Sequence, residues 1–103
     1  MIKKSLTSAS DKTPEQDRET FALLCKALCH PARLRIIEHL KQEDQCVCGK
    51  IVEVLPLAQS TVSQHLKILK EADLIRGEVD GPRMCYCLNR DVFNQFKKMA
   101  LDL

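Results

Sequence analysis

The chain has 103 residues, enough for one domain with a limited core. Hydrophobic residues make up 45% and charged residues 29%, which predicts a globular fold, and no apolar run approaches the ~18 residues of a membrane span. The formal net charge is only +2, so any contact with nucleic acid has to come from a local arrangement of charge rather than from the bulk balance.

Residues 1–13 are polar, carry two lysines and lack the apolar stretch of a secretory signal. They read as a flexible arm, with a folded domain expected over 14–103. Thr13 can cap a first helix, Pro14 suits its first turn, and Gln16 completes a capping box. Phe21, Leu24 and Leu28 then recur at helical spacing. Cys29-His30-Pro31 interrupts, because the residue before a proline avoids the helical region. A second helix starts at Pro31 and runs out near Lys41, with Leu34, Ile37 and Leu40 as its apolar face and Ile36 alongside.

Cys46-Val47-Cys48 is short, apolar and compatible with a strand. A helix over about 49–55 is predicted next, ended by Pro56. Another runs over about 59–72 with Val62, Leu66 and Leu69 as its buried stripe and Ile68 beside it. Asp80-Gly81 separates two strand-like runs, about 74–79 and 83–88, and signals a hairpin. Asn89 or Asp91 caps a last amphipathic helix. Its apolar face of Val92, Phe93, Phe96, Met99 and Ala100 is broad for a terminal helix and predicts burial against something outside the monomer. A helix-break-helix joined to a hairpin is a winged helix-turn-helix, mainly α with a small β-wing.

In that fold the second helix of the turn unit enters the major groove of DNA. Its early positions here are Gln59, Ser60, Thr61, Ser63, Gln64, His65 and Lys67, polar residues interleaved with Val62 and Leu66. Gln64 can pair bidentately with adenine, and Thr61 can touch a thymine methyl. Ser60, Ser63 and Lys67 suit phosphate oxygens. Arg83 sits by the hairpin tip, where a wing reaches a minor groove or phosphate. No nucleophile-base pair, Gly-rich phosphate loop or convergent carboxylate pair is present, so catalysis is not expected.

Two segments carry a specific resemblance. "LCKALCHPARLRIIEHL" and "STVSQHLKILKEADLI" make residues 20–100 similar to the ArsR/SmtB family of metal- and metalloid-responsive repressors. The matching positions include Ala27, Leu28, His30, Pro31, Arg33, Leu34 and Ile36, then Ser60 or Thr61 through Leu69, and Leu74. The resemblance implies a cytoplasmic homodimer built through the first and last helices. It also implies a repressor that sits on an inverted-repeat operator and is released by an effector. It implies a capping role for His30. Two positions depart from the pattern: Asp73 stands where a glycine commonly closes the recognition helix, and Ala58 where serine is common.

Six cysteines occur, as C-x3-C, C-x-C and C-x-C. Residues that close in one strand cannot bridge each other, and without a secretory signal reduced thiols are expected. The thiol sensing site of the family begins Cys-Val-Cys, matched at Cys46, Val47 and Cys48, but its third cysteine is replaced by Ile51. The implied ligands for a thiophilic ion (arsenite, antimonite, cadmium, lead or zinc) are therefore Cys46 and Cys48, with two candidate completions. The short strand of a winged helix pairs with the second wing strand, which would bring Cys85 and Cys87 alongside. Cys25 and Cys29, four apart on a helical face, could instead approach across a dimer. Core packing is the alternative reading of Cys25 and Cys29, and strand packing that of Cys85 and Cys87. The competing functions are a same-fold repressor that senses through thiol oxidation or binds no metal, and a small structural zinc protein that binds another protein.

Overall fold

The computed structural model describes residues 13–43, 46–48, 55–81 and 83–103, with Asp80 and Arg83 described in backbone only. The first helix, α1 (Pro14–Ala27), opens with both arms of the capping box. Gln16 N–H donates to Thr13 Oγ1 at 3.1 Å, and Thr13 N–H donates to Gln16 Oε1 at 2.9 Å. α2 (Pro31–Gln42) starts on the proline and is capped by His30, whose Nδ1 accepts from Ala32 N–H at 3.0 Å. After β1 (Val47–Cys48) comes α3 (Gln59–Glu71), then the hairpin β2 (Ile75–Asp80) and β3 (Arg83–Leu88), and finally α4 (Arg90–Leu101). Gly81 turns the hairpin with φ of +63°. The helix expected over 49–55 falls on residues outside the described ones, apart from Leu55.

The sheet order is β1-β3-β2, antiparallel throughout. Pairing of β1 with β3 is the arrangement a winged helix requires, and it brings residues some 40 positions apart in sequence into contact. One core gathers Leu24, Leu28, Ile36, Ile37, Leu40, Leu66 and Leu74 with others from every helix but α4. Val92, Phe93, Phe96 and Met99 of α4 pack against it while remaining half-buried. Phe21 and Phe96 stack at 5.4 Å, joining α1 to α4. Arg90 ties α4 to α2: its Nη2 donates to the carbonyls of Lys41 and Glu43 at 3.2 and 2.9 Å, satisfying the open C-terminal end of that helix.

Leu34 departs from expectation. It is 44% exposed, and Arg33 is buried in its place on the inward face with Ile36, Ile37 and Leu40. The spacing 33-36-37-40 is the helical stripe that packing selected, and Leu34 lies one step round from it. Ile68, placed beside the α3 stripe, is likewise 40% exposed.

α3 ends as a Schellman motif. Leu74 N–H donates to Leu69 O and Asp73 N–H to Lys70 O, both at 3.0 Å. Asp73 lies between them in the left-handed region, with φ of 63°. A side chain there costs energy that glycine avoids. Asp73→Gly is expected to raise stability by about 1 kcal/mol, less whatever the freer unfolded chain gives back. In a thermal melt that is a rise of roughly 4–8 °C for a domain of this size.

Candidate functional site

α3 stands with one face in the core and the other outward. Val62, Leu66 and Leu69 are buried, whereas Gln59, Ser60, Thr61, Ser63, Gln64 and Lys67 are all exposed. Its first turn contains no acidic residue, and Ala58 makes no side-chain cap, so its N-terminal N–H groups have no side-chain acceptor from that residue. A positive helix end beside a row of neutral hydrogen-bonding side chains suits a polyanion. Arg83 opens β3 at the tip of the wing; its side chain lies outside the described residues.

His65 does not join that row. It lies one position from Leu66 and four from Leu69, on the buried stripe, and its ring packs 4.4 Å from that of His30. The contact links the cap of α2 to the middle of α3. His65 Nδ1 and the buried Arg33 Nε have no hydrogen-bond partner among the described residues. Burial first, then the neighbouring His30 and Arg33, push the His65 pKa below the ordinary imidazole range. An unfolded chain therefore takes up a proton at His65 before the folded one does. Stability should be complete above the unfolded value of about 6.5 and fall as pH drops below it. Melting temperatures at about pH 7.5 and 5.5 test this, and in His65→Gln the fall should be smaller.

The cysteines divide into two groups. Cys25 and Cys29 are exposed and unbridged, so neither fills the core. The other four meet where β1 pairs with β3. Cys48 faces Cys85 in register, and two residues along, past the Val47–Tyr86 pair, Cys46 meets Cys87. Each facing pair is a disulfide, with Cα atoms 4.4 Å apart for Cys46–Cys87 and 4.0 Å for Cys48–Cys85. Spacing within each C-x-C pair excluded bridges only inside that pair; the strand register supplies partners from the other one. Residues two apart on a strand share a face, so both pairs lie on the same side of the sheet. Cys85 is buried, Cys48 and Cys87 are half-buried, and Cys46 is exposed.

A further residue joins this group. Glu78 faces Cys85 on β2, and its Oε1 lies 3.9 Å from Cys46 Sγ. The donor atoms of Cys46, Glu78 and Cys87 all fall within 4.8 Å of one another. No sequence motif pointed to Glu78, which is far from either cysteine pair along the chain. Only the β2–β3 register could have suggested it.

The chain's residues 30–76 match the model of the bacterial regulatory protein arsR family. The arsenical resistance operon repressor of Bacillus subtilis is 36% identical over 85 residues, which are 82% of this chain and 80% of that protein. This chain belongs to the ArsR family. Another family relative, the HTH-type transcriptional repressor SmtB of Mycobacterium tuberculosis, is 37% identical over 75 residues, 73% of this chain. This ArsR-family chain spans 55% of the length of that relative. Among solved structures, HlyU from Vibrio cholerae superposes with a TM-score of 0.70 at 26% identity, covering 82% of this chain and 92% of that one. The family is one of helix-turn-helix transcription regulators rather than enzymes. No helix among the described residues is long and apolar enough to cross a membrane.

The four clustered cysteines of this ArsR-family chain are donors of the kind soft ions take once they are reduced to thiolates. The register brings Cys85 to Cys48, and Cys87 meets Cys46 beside them.

Proposed function

We propose that the protein is a homodimeric, cytoplasmic transcriptional repressor that occupies an inverted-repeat operator. We further propose that it leaves the operator when its cysteines bind a thiophilic metal or metalloid ion. Cys46 and Cys48 form the core of the effector site, and Cys85 and Cys87 of the same subunit complete it. The observation that carries this reading is the gathering of these four cysteines at the root of the wing, paired as disulfides and able to give four thiolates when reduced. The name of the Bacillus subtilis relative, an arsenical resistance operon repressor, supports the same reading.

A second copy of the chain would cover the apolar surface that α1 and α4 leave open. No residue of α4 is fully buried, and Leu23 and Leu101 are 52% and 87% exposed. Two recognition helices must match half-sites about one DNA turn apart, so a small change in their relative setting weakens binding. Ligation at Cys46 and Cys48 restrains the segment between β1 and α3. A coupling of about 1–3 kcal/mol changes DNA affinity roughly 5–150-fold.

The test is a binding assay on operator DNA selected from a random-sequence pool. The Cys46→Ser, Cys48→Ser double variant should bind that DNA as the wild type does and resist release by arsenite, antimonite, cadmium and zinc. Normal release of the double variant would remove these cysteines from the effector site. The pairing of Cys46 with Cys87 and Cys48 with Cys85 favours a second reading, regulation by thiol oxidation without metal. It requires release by peroxide in metal-free buffer, reversed by a dithiol reductant.

A further inference from the structure

Cys46 lies next to β1, Glu78 on β2 and Cys87 on β3, yet their donor atoms lie within 4.8 Å of one another. Cys48 and Cys85 belong to the neighbouring rung and do not share in that group. We propose that in the reduced protein Cys46, Cys87 and Glu78 form a site for a soft divalent cation, of the zinc or cadmium class, at the root of the wing. This rests on the regulator reading and deepens its effector site: a carboxylate, Glu78, joins Cys46 and Cys87 as a ligand.

The donor set selects the class of ion. Two thiolates and one carboxylate carry three negative charges and leave one position of a tetrahedron for water, a combination that zinc and cadmium accept. Arsenite favours three sulfurs, and this group offers two. Glu78 is exposed and Cys87 is half-buried. Arg76 lies opposite Cys87 in register, and its Nη2 donates to Asn89 Oδ1 at 3.4 Å. That contact draws the guanidinium toward the start of α4.

The same two sulfurs make the Cys46–Cys87 disulfide, so oxidation and ligation exclude each other. A peroxide takes two electrons and two protons from the thiol pair. The S–S bond forms, the O–O bond breaks, and two waters leave. The site is therefore available only while its thiols are reduced.

The experiment is a titration of the reduced full chain with cadmium alone in anaerobic buffer, read by thiolate-to-cadmium charge-transfer absorbance. One ion per subunit is expected, and none after peroxide treatment. Cys46→Ser and Cys87→Ser should abolish the band. Glu78→Gln, at an exposed position that the fold does not need, should weaken binding at least about 10-fold. The Cys25→Ser, Cys29→Ser double variant, outside the cluster, should titrate as the wild type. Wild-type titration by Glu78→Gln or Cys87→Ser overturns the proposal. Circular dichroism of each variant identifies one that has failed to fold, and Glu78→Gln then decides. The DNA assay separates this site from the regulator reading. Cadmium bound as described with operator affinity unchanged would leave the site standing and remove the regulation. Release of Cys87→Ser by cadmium would do the reverse.

Discussion

Leu69→Ala is expected to cost about 2–5 kcal/mol, enough to leave the protein largely unfolded near physiological temperature. Leu69 is fully buried, and it lies at the point where α3 meets the start of the wing. Its carbonyl accepts the Leu74 N–H that closes the Schellman motif, and Leu74 is itself fully buried. Truncation therefore leaves a cavity against a residue whose backbone sets the exit of the chain from the recognition helix. Val62 and Ile75 belong to the same core and are 1% exposed or less, so neighbours as tightly buried as these leave the site little freedom to collapse. Urea denaturation at fixed protein concentration measures the loss. A change below about 1 kcal/mol would mean that the site collapses freely and that the packing of α3 on the wing is looser than described.

The second large effect concerns DNA. If Gln64 reads an adenine edge, Gln64→Ala should lose about 1–3 kcal/mol at each half-site. In a dimer that is a fall of at least about 10-fold in operator affinity. The discrimination between the operator and its mutated form should fall with it. Gln64 is exposed on α3, so melting temperature should stay near the wild-type value. Lys67→Ala provides the contrast. A phosphate contact carries no sequence information, so its loss should weaken all DNA alike and reduce the salt dependence of binding by about one counterion per contact. Unchanged operator affinity in Gln64→Ala would exclude this base contact.

The features legible in the chain were those made by residues close together in it. The Thr13–Gln16 capping box, the Pro31 start of α2, the Asn89 cap and the Gly81 turn each involve neighbours within four positions, and all occur as read. Asp73 was legible in the same way, because a helix that ends on a left-handed residue demands it locally. The short strand was legible in the apolar, β-compatible Cys46-Val47-Cys48 and occurs as Val47–Cys48, whereas its pairing with β3 follows from how a winged helix closes its sheet.

Facing was harder to read. Both Arg33 and Leu34 fit a helical stripe, and the choice fell to how α2 packs on α3. His65 has the polarity of a DNA contact, but its helical angle places it among Val62, Leu66 and Leu69. Cys25 and Cys29 have the apolar character of core residues, yet Cys25 on α1 and Cys29 just beyond that helix are both exposed.

Local order, cap chemistry and the hairpin thus follow from amino-acid type and spacing, because their energies are paid out between near neighbours. The meeting of Cys46 with Cys87, of Cys48 with Cys85, and of Glu78 with the first pair depends on strand register. Register is set by the whole sheet seating its apolar face on the helices, and a shift of one residue would turn every one of these side chains to the opposite face.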